Sequence, residues 1–400
     1  MNETGHFTAA HNTARLSEPV SNKAKDIQRM MLSRRIAAAA LCILFTLPLF
    51  LACSPAAEPA VATPEPTQAT ATPAPTATPV PSPTPFPEPT PFTVAWMTDT
   101  QEYAANHNDI FCAMTQWIAD TQKEYNTVLT VHTGDMIRGS YREYQWDNMV
   151  QAFSLLPKDM QILTVGGNHD IASFMPDYTP YLAYRPDTNT IAEHSIFDGN
   201  VYYIEFEAGD VNILVFSITY GYEVESQDWI NAVCAEHSNS YAILCLHSYL
   251  EPAGYSSGGR YLFDGVVKKS PNVRLVLCGH EPGVRYQPEE LDDDGDGVAD
   301  RTVQQMLFNM QEETKDGEGF LRLLQFDTVN DTINVITYSP HLDVYGYDWP
   351  GGDHFGGEHL IENAGIAQYR MHPDTSPANW NEEIWPDNQG YISNESKSEE

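Results

Sequence analysis

Five short apolar runs in this chain each give way to residues able to hold a metal. The runs are 93–97, 127–131, 161–165, 242–246 and 273–278. They are followed in turn by Asp99-Thr100-Gln101, Gly134-Asp135, Gly167-Asn168-His169-Asp170, His247 and Gly279-His280. Runs so short and so rich in Val, Ile and Leu predict strands buried on both faces, as in parallel sheets covered by helices. Parallel strands place their carboxyl ends on one rim, so the side chains released there converge. Carboxylates, amides and imidazoles at one rim suit a pair of divalent transition metals better than a single ion.

The ends are set apart first. Residues 36–51 are an apolar run behind Arg34-Arg35 that stops at Ala52-Cys53. A basic start, a hydrophobic stretch too short to span comfortably and small residues behind it predict a signal peptide region over 1–53. Cys53 after Phe50-Leu51-Ala52 resembles a bacterial lipobox. The expectation is an exported protein of the bacterial cell surface or periplasm, lipid-anchored at Cys53. Residues 1–29 lie upstream of a sufficient signal at Met30 or Met31, which points to a misassigned start codon. Residues 54–92 hold thirteen of the 28 prolines and eight threonines. Such a Pro/Thr-rich stretch cannot bury a core and predicts a disordered linker.

Without residues 1–53 the chain carries 15 basic and 52 acidic residues, a net charge of −37 against −34 for the whole chain. That opposes binding to duplex nucleic acid and to anionic lipid, both of which want basic patches. Membrane contact is then expected only through the N-terminal anchor. A phosphate substrate stays compatible, because bound metals reverse the local sign. The four cysteines beyond Cys53 (Cys112, Cys234, Cys245 and Cys278) lie in apolar runs without zinc-type spacing, as core thiols do.

The coarse pattern alternates strand and helix. Residues 110–118 have helical spacing with Asp109 as the expected N-cap, and further helices are predicted over 144–156 and 228–235. Hairpins are predicted for 201–207 with 211–217, and for 321–327 with 333–338.

The ordered series Asp99, Gly134-Asp135, Gly167-Asn168-His169-Asp170, His247, Gly279-His280 resembles the calcineurin-like metallophosphoesterase superfamily, from about residue 92 to 340. The Asp-Thr-Gln-x-Tyr opening, Thr115-Gln116-Trp117-Ile118 and the segment 319–327 resemble its bacterial exported branch, whose first motif is Asp-x-Gln. The resemblance implies an α/β fold of the metallophosphoesterase type, a four-layer α/β/β/α sandwich of two mixed sheets, spanning 93–345. It leaves 346–400 as an acidic, partly frayed C-terminal extension.

Carried over residue by residue, the resemblance assigns two divalent transition metals (Fe, Mn or Zn). Asp99, Gln101 and the bridging Asp135 hold the first; Asp135, Asn168, His247 and His280 hold the second. Gln101 stands where His is usual, and Pro282 stands where a further His would follow His280, so the first site is expected to be the weaker. The implied reaction is hydrolysis of a small phosphate ester by a metal-bound hydroxide, with His169 as proton donor and Asp170 orienting it. Monoester or diester, substrate identity and oligomeric state stay open.

Further candidate groups lie outside this series. Asp292, Asp294, Asp296 and Asp300 in the loop 292–300 match the front of a calcium loop, with Val303 where the closing Glu would stand. Arg138, Arg142 and Arg260 are candidate phosphate contacts, Tyr103 and His107 candidate rim residues, and His132 a structural histidine. His354 and His359 are candidate replacement ligands. The alternative reading is a catalytically degenerate phosphoesterase fold that serves as a cell-surface binding or calcium-dependent adhesion module.

Overall fold

The computed structural model describes residues 89–171, 181–186, 194–311, 317–346 and 360–371. The signal peptide region, most of the linker, most of the C-terminal extension, and His354 and His359 lie outside the described residues. Among the described residues no helix is long and apolar enough to cross a membrane.

Strand β1 (Phe92–Met97) leads to helices α1 (Gln101–Asn106) and α2 (Asn108–Thr121), then β2 (Thr127–His132), α3 (Glu143–Phe153) and β3 (Gln161–Thr164). Next come β4 (Ser195–Ile196), β5 (Val201–Ala208), β6 (Val211–Ile218), α4 (Gln227–Glu236) and β7 (Tyr241–Leu246). A small hairpin of β8 (Leu250–Glu251) and β9 (Gly254–Tyr255) precedes α5 (Ser257–Leu262) and β10 (Val273–Cys278). The chain continues through β11 (Gly283–Tyr286), β12 (Glu289–Leu291) and β13 (Arg301–Asn309). It closes with β14 (Leu321–Asp327), β15 (Thr332–Ser339), β16 (Val344–Tyr345) and β17 (Leu360–Ile361).

Two mixed sheets result. A seven-stranded sheet runs β16-β15-β14-β1-β2-β3 with β17 on β15, and an eight-stranded one runs β11-β13-β10-β7-β6-β5-β4 with β12 on β13. Within the first, β1, β2 and β3 are parallel. Within the second, β6, β7, β10 and β13 are parallel. Alternation along β1 explains the layering: Val94 and Trp96 pack between the sheets against Val215, Ile243 and Leu277. Ala95 and Met97 face the other way, onto Phe111, Met114 and Met149 of α2 and α3. On the far side Leu214, Leu244 and Val276 meet Ile230 of α4 and Leu262 of α5. Both sheets are therefore buried on both faces, which is why the runs read as continuous apolar strings. The four-layer α/β/β/α sandwich is the observed fold.

The two predicted hairpins form as β5–β6 and β14–β15, and the four cysteines are free thiols. Three details differ from the sequence reading. Helix α2 starts at Asn108, so Asp109 sits in its first turn rather than capping it, and favours the helix through the macrodipole. Phe92, assigned to the linker, is the first residue of β1 and stacks on Phe326 at 4.9 Å. Residues 360–371, assigned to the extension, pack with the sheets. Ile361 and Ile366 join the inter-sheet core, and Arg370 Nε donates to Asp210 Oδ2 at 2.6 Å.

Candidate metal centre

The expected ligands leave the carboxyl ends of parallel strands on both sheets: Asp99 after β1, Asp135 after β2, Asn168 after β3, His247 after β7 and His280 after β10. Each strand has to stop abruptly to turn its ligand inward. Asp99, Asp135 and His280 do so with left-handed backbone, at φ 50°, 56° and 75°. Non-glycine residues seldom hold that conformation, and such strain concentrates at functional sites. The neighbouring glycines make room. A Cβ on Gly134 (φ 106°) would lie 2.5 Å from His247 Nδ1, and one on Gly167 would collide with the Asp135 carboxylate.

Four lone-pair atoms converge around His247. Its Nδ1 donates to the Thr133 carbonyl at 2.9 Å, which turns Nε2 toward the cavity. That Nε2 lies 3.0 Å from Asn168 Oδ1, 3.2 Å from Asp135 Oδ2 and 3.1 Å from His280 Nδ1. One ring nitrogen cannot satisfy three acceptors with a single proton. Ligands about 2.1 Å from a tetrahedral cation sit roughly 3.4 Å apart, so this donor set fits a divalent transition metal. Without a metal, burial works against charge on His247, but the Asp135 carboxylate more than offsets it and holds the imidazole up at about 10. Asp135 itself is held below the usual carboxylate range: the cost of burying it is outweighed by His247 and by bonds to His169.

The second group is oxygen-only at its edge. Asp99 Oδ2 accepts from Thr98 Oγ1 at 2.6 Å and from the His280 amide at 3.1 Å. Asp99 Oδ1 and Gln101 Oε1 are both buried with no hydrogen-bond partner. Leaving a buried acceptor unsatisfied costs about 1–3 kcal/mol. Two such oxygens, on the two residues assigned to the first metal, are lone pairs that a cation would satisfy. Burial pushes the Asp99 carboxyl up to about 7, partly opposed by His247.

A cavity of 510 Å³ opens onto this rim, lined by Gln101, Glu102, Asp135, Arg138, Asn168, His169, His280 and Gln311. His169 is half-exposed there. Its Nδ1 donates to the Arg138 carbonyl at 2.8 Å, leaving Nε2 free toward the cavity, 3.9 Å from Asp135 Oδ2. Asp170 does not touch the His169 ring, contrary to the orienting role expected of it. Its Oδ1 accepts from the Met136 and Ile137 amides and its Oδ2 from Gly167, so it ties the loop after β2 to the turn after β3. Desolvation pushes its carboxyl up to about 8. The Arg138 carbonyl is the group that holds His169.

Among the described residues Arg138 is the arginine that lines the cavity, with its Nε 3.1 Å from Glu102. Arg142 lines a neighbouring cavity of 360 Å³, and Arg260 pairs with Asp264. Tyr103 and His107 are absent from the lining, and the Tyr103 hydroxyl accepts from the Gly319 amide at 2.8 Å. His132 is fully buried between Thr100 and the Gly134 amide; burial pushes it down to about 3, so it is a neutral structural residue. Two residues were missed. The Tyr220 ring lies 6.0 Å from His247 and 5.7 Å from His280. Gln311 follows β13, a sixth strand end obeying the same rule as the other five.

In the loop 292–300, carboxylate oxygens of Asp292, Asp294 and Asp300 lie within 4.8 Å of one another, all exposed. Asp296 is outside that trio and accepts from the Val298 amide at 2.8 Å.

Residues 92–283 of this chain match the calcineurin-like phosphoesterase family. A curated relative, the uncharacterized protein YvnB of Bacillus subtilis (strain 168), is 36% identical over 261 residues, which is 64% of this chain. The chain spans 20% of that relative's length. Among solved structures, the chain is similar to a dimetal phosphatase from Danio rerio at 12% identity and TM-score 0.44, covering 62% of this chain and 96% of that one. It is also similar to the calcineurin-like phosphoesterase YfkN from Bacillus subtilis at 15% identity and TM-score 0.37, covering 62% of this chain and 86% of that one.

Proposed function

We propose that the chain is a metal-dependent hydrolase of a small phosphate ester, working in the cavity at the common rim of its two sheets. The convergence of Asn168 Oδ1, Asp135 Oδ2 and His280 Nδ1 within 3.2 Å of His247 Nε2 carries this reading. The match to the calcineurin-like phosphoesterase family over 92–283 supports it. Asp135, Asn168, His247 and His280 would hold one divalent cation, and Asp99, Gln101 and the shared Asp135 the other. When bound, such a pair activates water at neutral pH and offsets charge building on phosphoryl oxygens.

The chain's own groups do the rest. With Nδ1–H fixed on the Arg138 carbonyl, His169 can give up a proton only from Nε2, the atom facing the cavity. That proton goes to the departing alkoxide oxygen. The Arg138 guanidinium, held at the cavity edge by Glu102, is placed to grip a phosphate oxygen. Asp170 keeps both turns in register by accepting three backbone amides. Export, anchoring at Cys53 and calcium in the loop 292–300 belong to the same reading: a tethered enzyme outside the cell, where millimolar calcium fills even a weak site.

The test is metal analysis of the purified protein beside a hydrolysis screen with p-nitrophenyl mono- and diesters under added manganese. The expected result is two metals per chain and manganese-dependent release of p-nitrophenol. A protein that binds neither manganese nor zinc at the rim overturns the reading, and one that binds metal without hydrolysing any ester favours the binding module.

A further inference from the structure

We infer that Gln311 is a positioning residue for Gln101: it selects which face of the Gln101 amide meets the first metal, an inference that rests on the proposed metal centre. A glutamine amide has nearly the same shape either way round, but its two ends are opposites. The oxygen has lone pairs to give a cation, and the NH2 group has only protons to turn toward it. An imidazole meets this problem by moving its proton from one nitrogen to the other; an amide has to be held.

The structure supplies the holder. Gln101 Nε2 donates to Gln311 Oε1, an atom that can only accept, so the NH2 end is fixed outward. Gln101 Oε1 is left buried with no partner, and both side chains line the rim cavity. The two glutamines come from opposite sheets, Gln101 from the end of β1 and Gln311 from the end of β13. Gln311 is itself fixed. Its backbone N–H donates to Asn309 Oδ1 at 2.9 Å, and Asn309 Nδ2 donates to the His280 carbonyl at 3.0 Å. The order Gln101, Gln311, Asn309, His280 thus links a ligand assigned to each metal through one part-buried series of side-chain and backbone bonds. Groups that orient ligands in this way typically change metal affinity 10–100-fold when removed.

The experiment measures bound manganese per chain, by elemental analysis after gel filtration, in the full chain and three variants. Gln311→Ala is expected to lose one manganese and keep the other. Gln311→Glu keeps both, because a carboxylate oxygen accepts the same bond from Gln101 Nε2. The decisive variant is Gln101→His with Gln311→Ala, which is expected to keep both, since an imidazole does not need its face chosen. Circular dichroism of metal-free Gln311→Ala should match the parent. Two metals retained by Gln311→Ala overturn the inference alone. An equal loss in the Gln101→His background also overturns it, and makes Gln311 a ligand or a scaffold instead. A parent protein that takes up no manganese overturns the metal reading and this inference together.

Discussion

The rim centre and the loop 292–300 are both clusters of metal-binding groups, yet their oxygens are in opposite states. At the rim, Asp99 Oδ1 and Gln101 Oε1 are buried and lack partners. In the loop, Asp292 accepts from the Gly295 and Gly297 amides at 2.6 and 2.7 Å, and Asp300 from the Asp293 amide at 2.7 Å. The loop folds around its own backbone donors and stands in water, whereas the rim is held in place by two sheets with lone pairs to spare. A cation is energetically called for in the first and only tolerated in the second. Counting carboxylates in a sequence cannot see that difference; satisfaction and burial can.

The comparison is broken most completely by Asp135→Asn. Asp135 lies 3.2 Å from His247 Nε2 and is the residue assigned to both metals. Elemental analysis should find both positions empty, and ester hydrolysis should fall to background. Retention of one tightly bound metal would show that Asp135 does not bridge.

Next in size is His169→Ala. Removing a positioned acid lowers turnover by roughly 10²–10⁴-fold. Because His169 Nε2 is 3.9 Å from the Asp135 carboxylate and outside the His247 cluster, metal content should be unchanged. Metal loss together with activity loss would make His169 a ligand.

Much of this was legible in the chain because the strands are buried on both faces: runs such as 242–246 and 273–278 carry no surface pattern to confuse, and their ends are marked by Gly, Asp, Asn and His. The side-chain partners were not legible. Asp170 is adjacent to His169 in sequence, but the turn after β3 points it at Met136 and Ile137, so proximity misled. Gln311 escaped notice because β13 is followed by Met310-Gln311, with none of the Gly, Asp or His that marked the other strand ends. The packing of residues 360–371 was hidden because Ile361 and Ile366 are isolated apolar residues in a polar stretch.

A smaller effect should follow from Gln101→Leu, which sharpens the contrast by changing its sign. With metal present, the variant should hold one cation instead of two and depend on the remaining site. Without metal, it should unfold at nearly the parent temperature, because losing the Nε2 bond to the part-buried Gln311 is offset by removing a buried oxygen that had no partner, at roughly constant volume. A large loss of metal-free stability, read by thermal melting, would show that Gln101 serves the fold rather than the cation.

The smallest effect belongs to the loop. Its carboxylates already accept backbone N–H groups, so calcium can gain only from their remaining lone pairs and from relieving repulsion among Asp292, Asp294 and Asp300. Calcium at ten times its dissociation constant would stabilise the fold by about 1.4 kcal/mol, a shift of a few degrees in Tm for a domain of this size. The paired substitutions Asp292→Asn and Asp294→Asn keep the shape and most of the hydrogen bonding while removing two charges. They should abolish the calcium-dependent rise in Tm and leave the transition-metal content untouched. An equal calcium response in parent and variant would reduce the loop to a solvated acidic turn, with the rim as the cation site among the described residues.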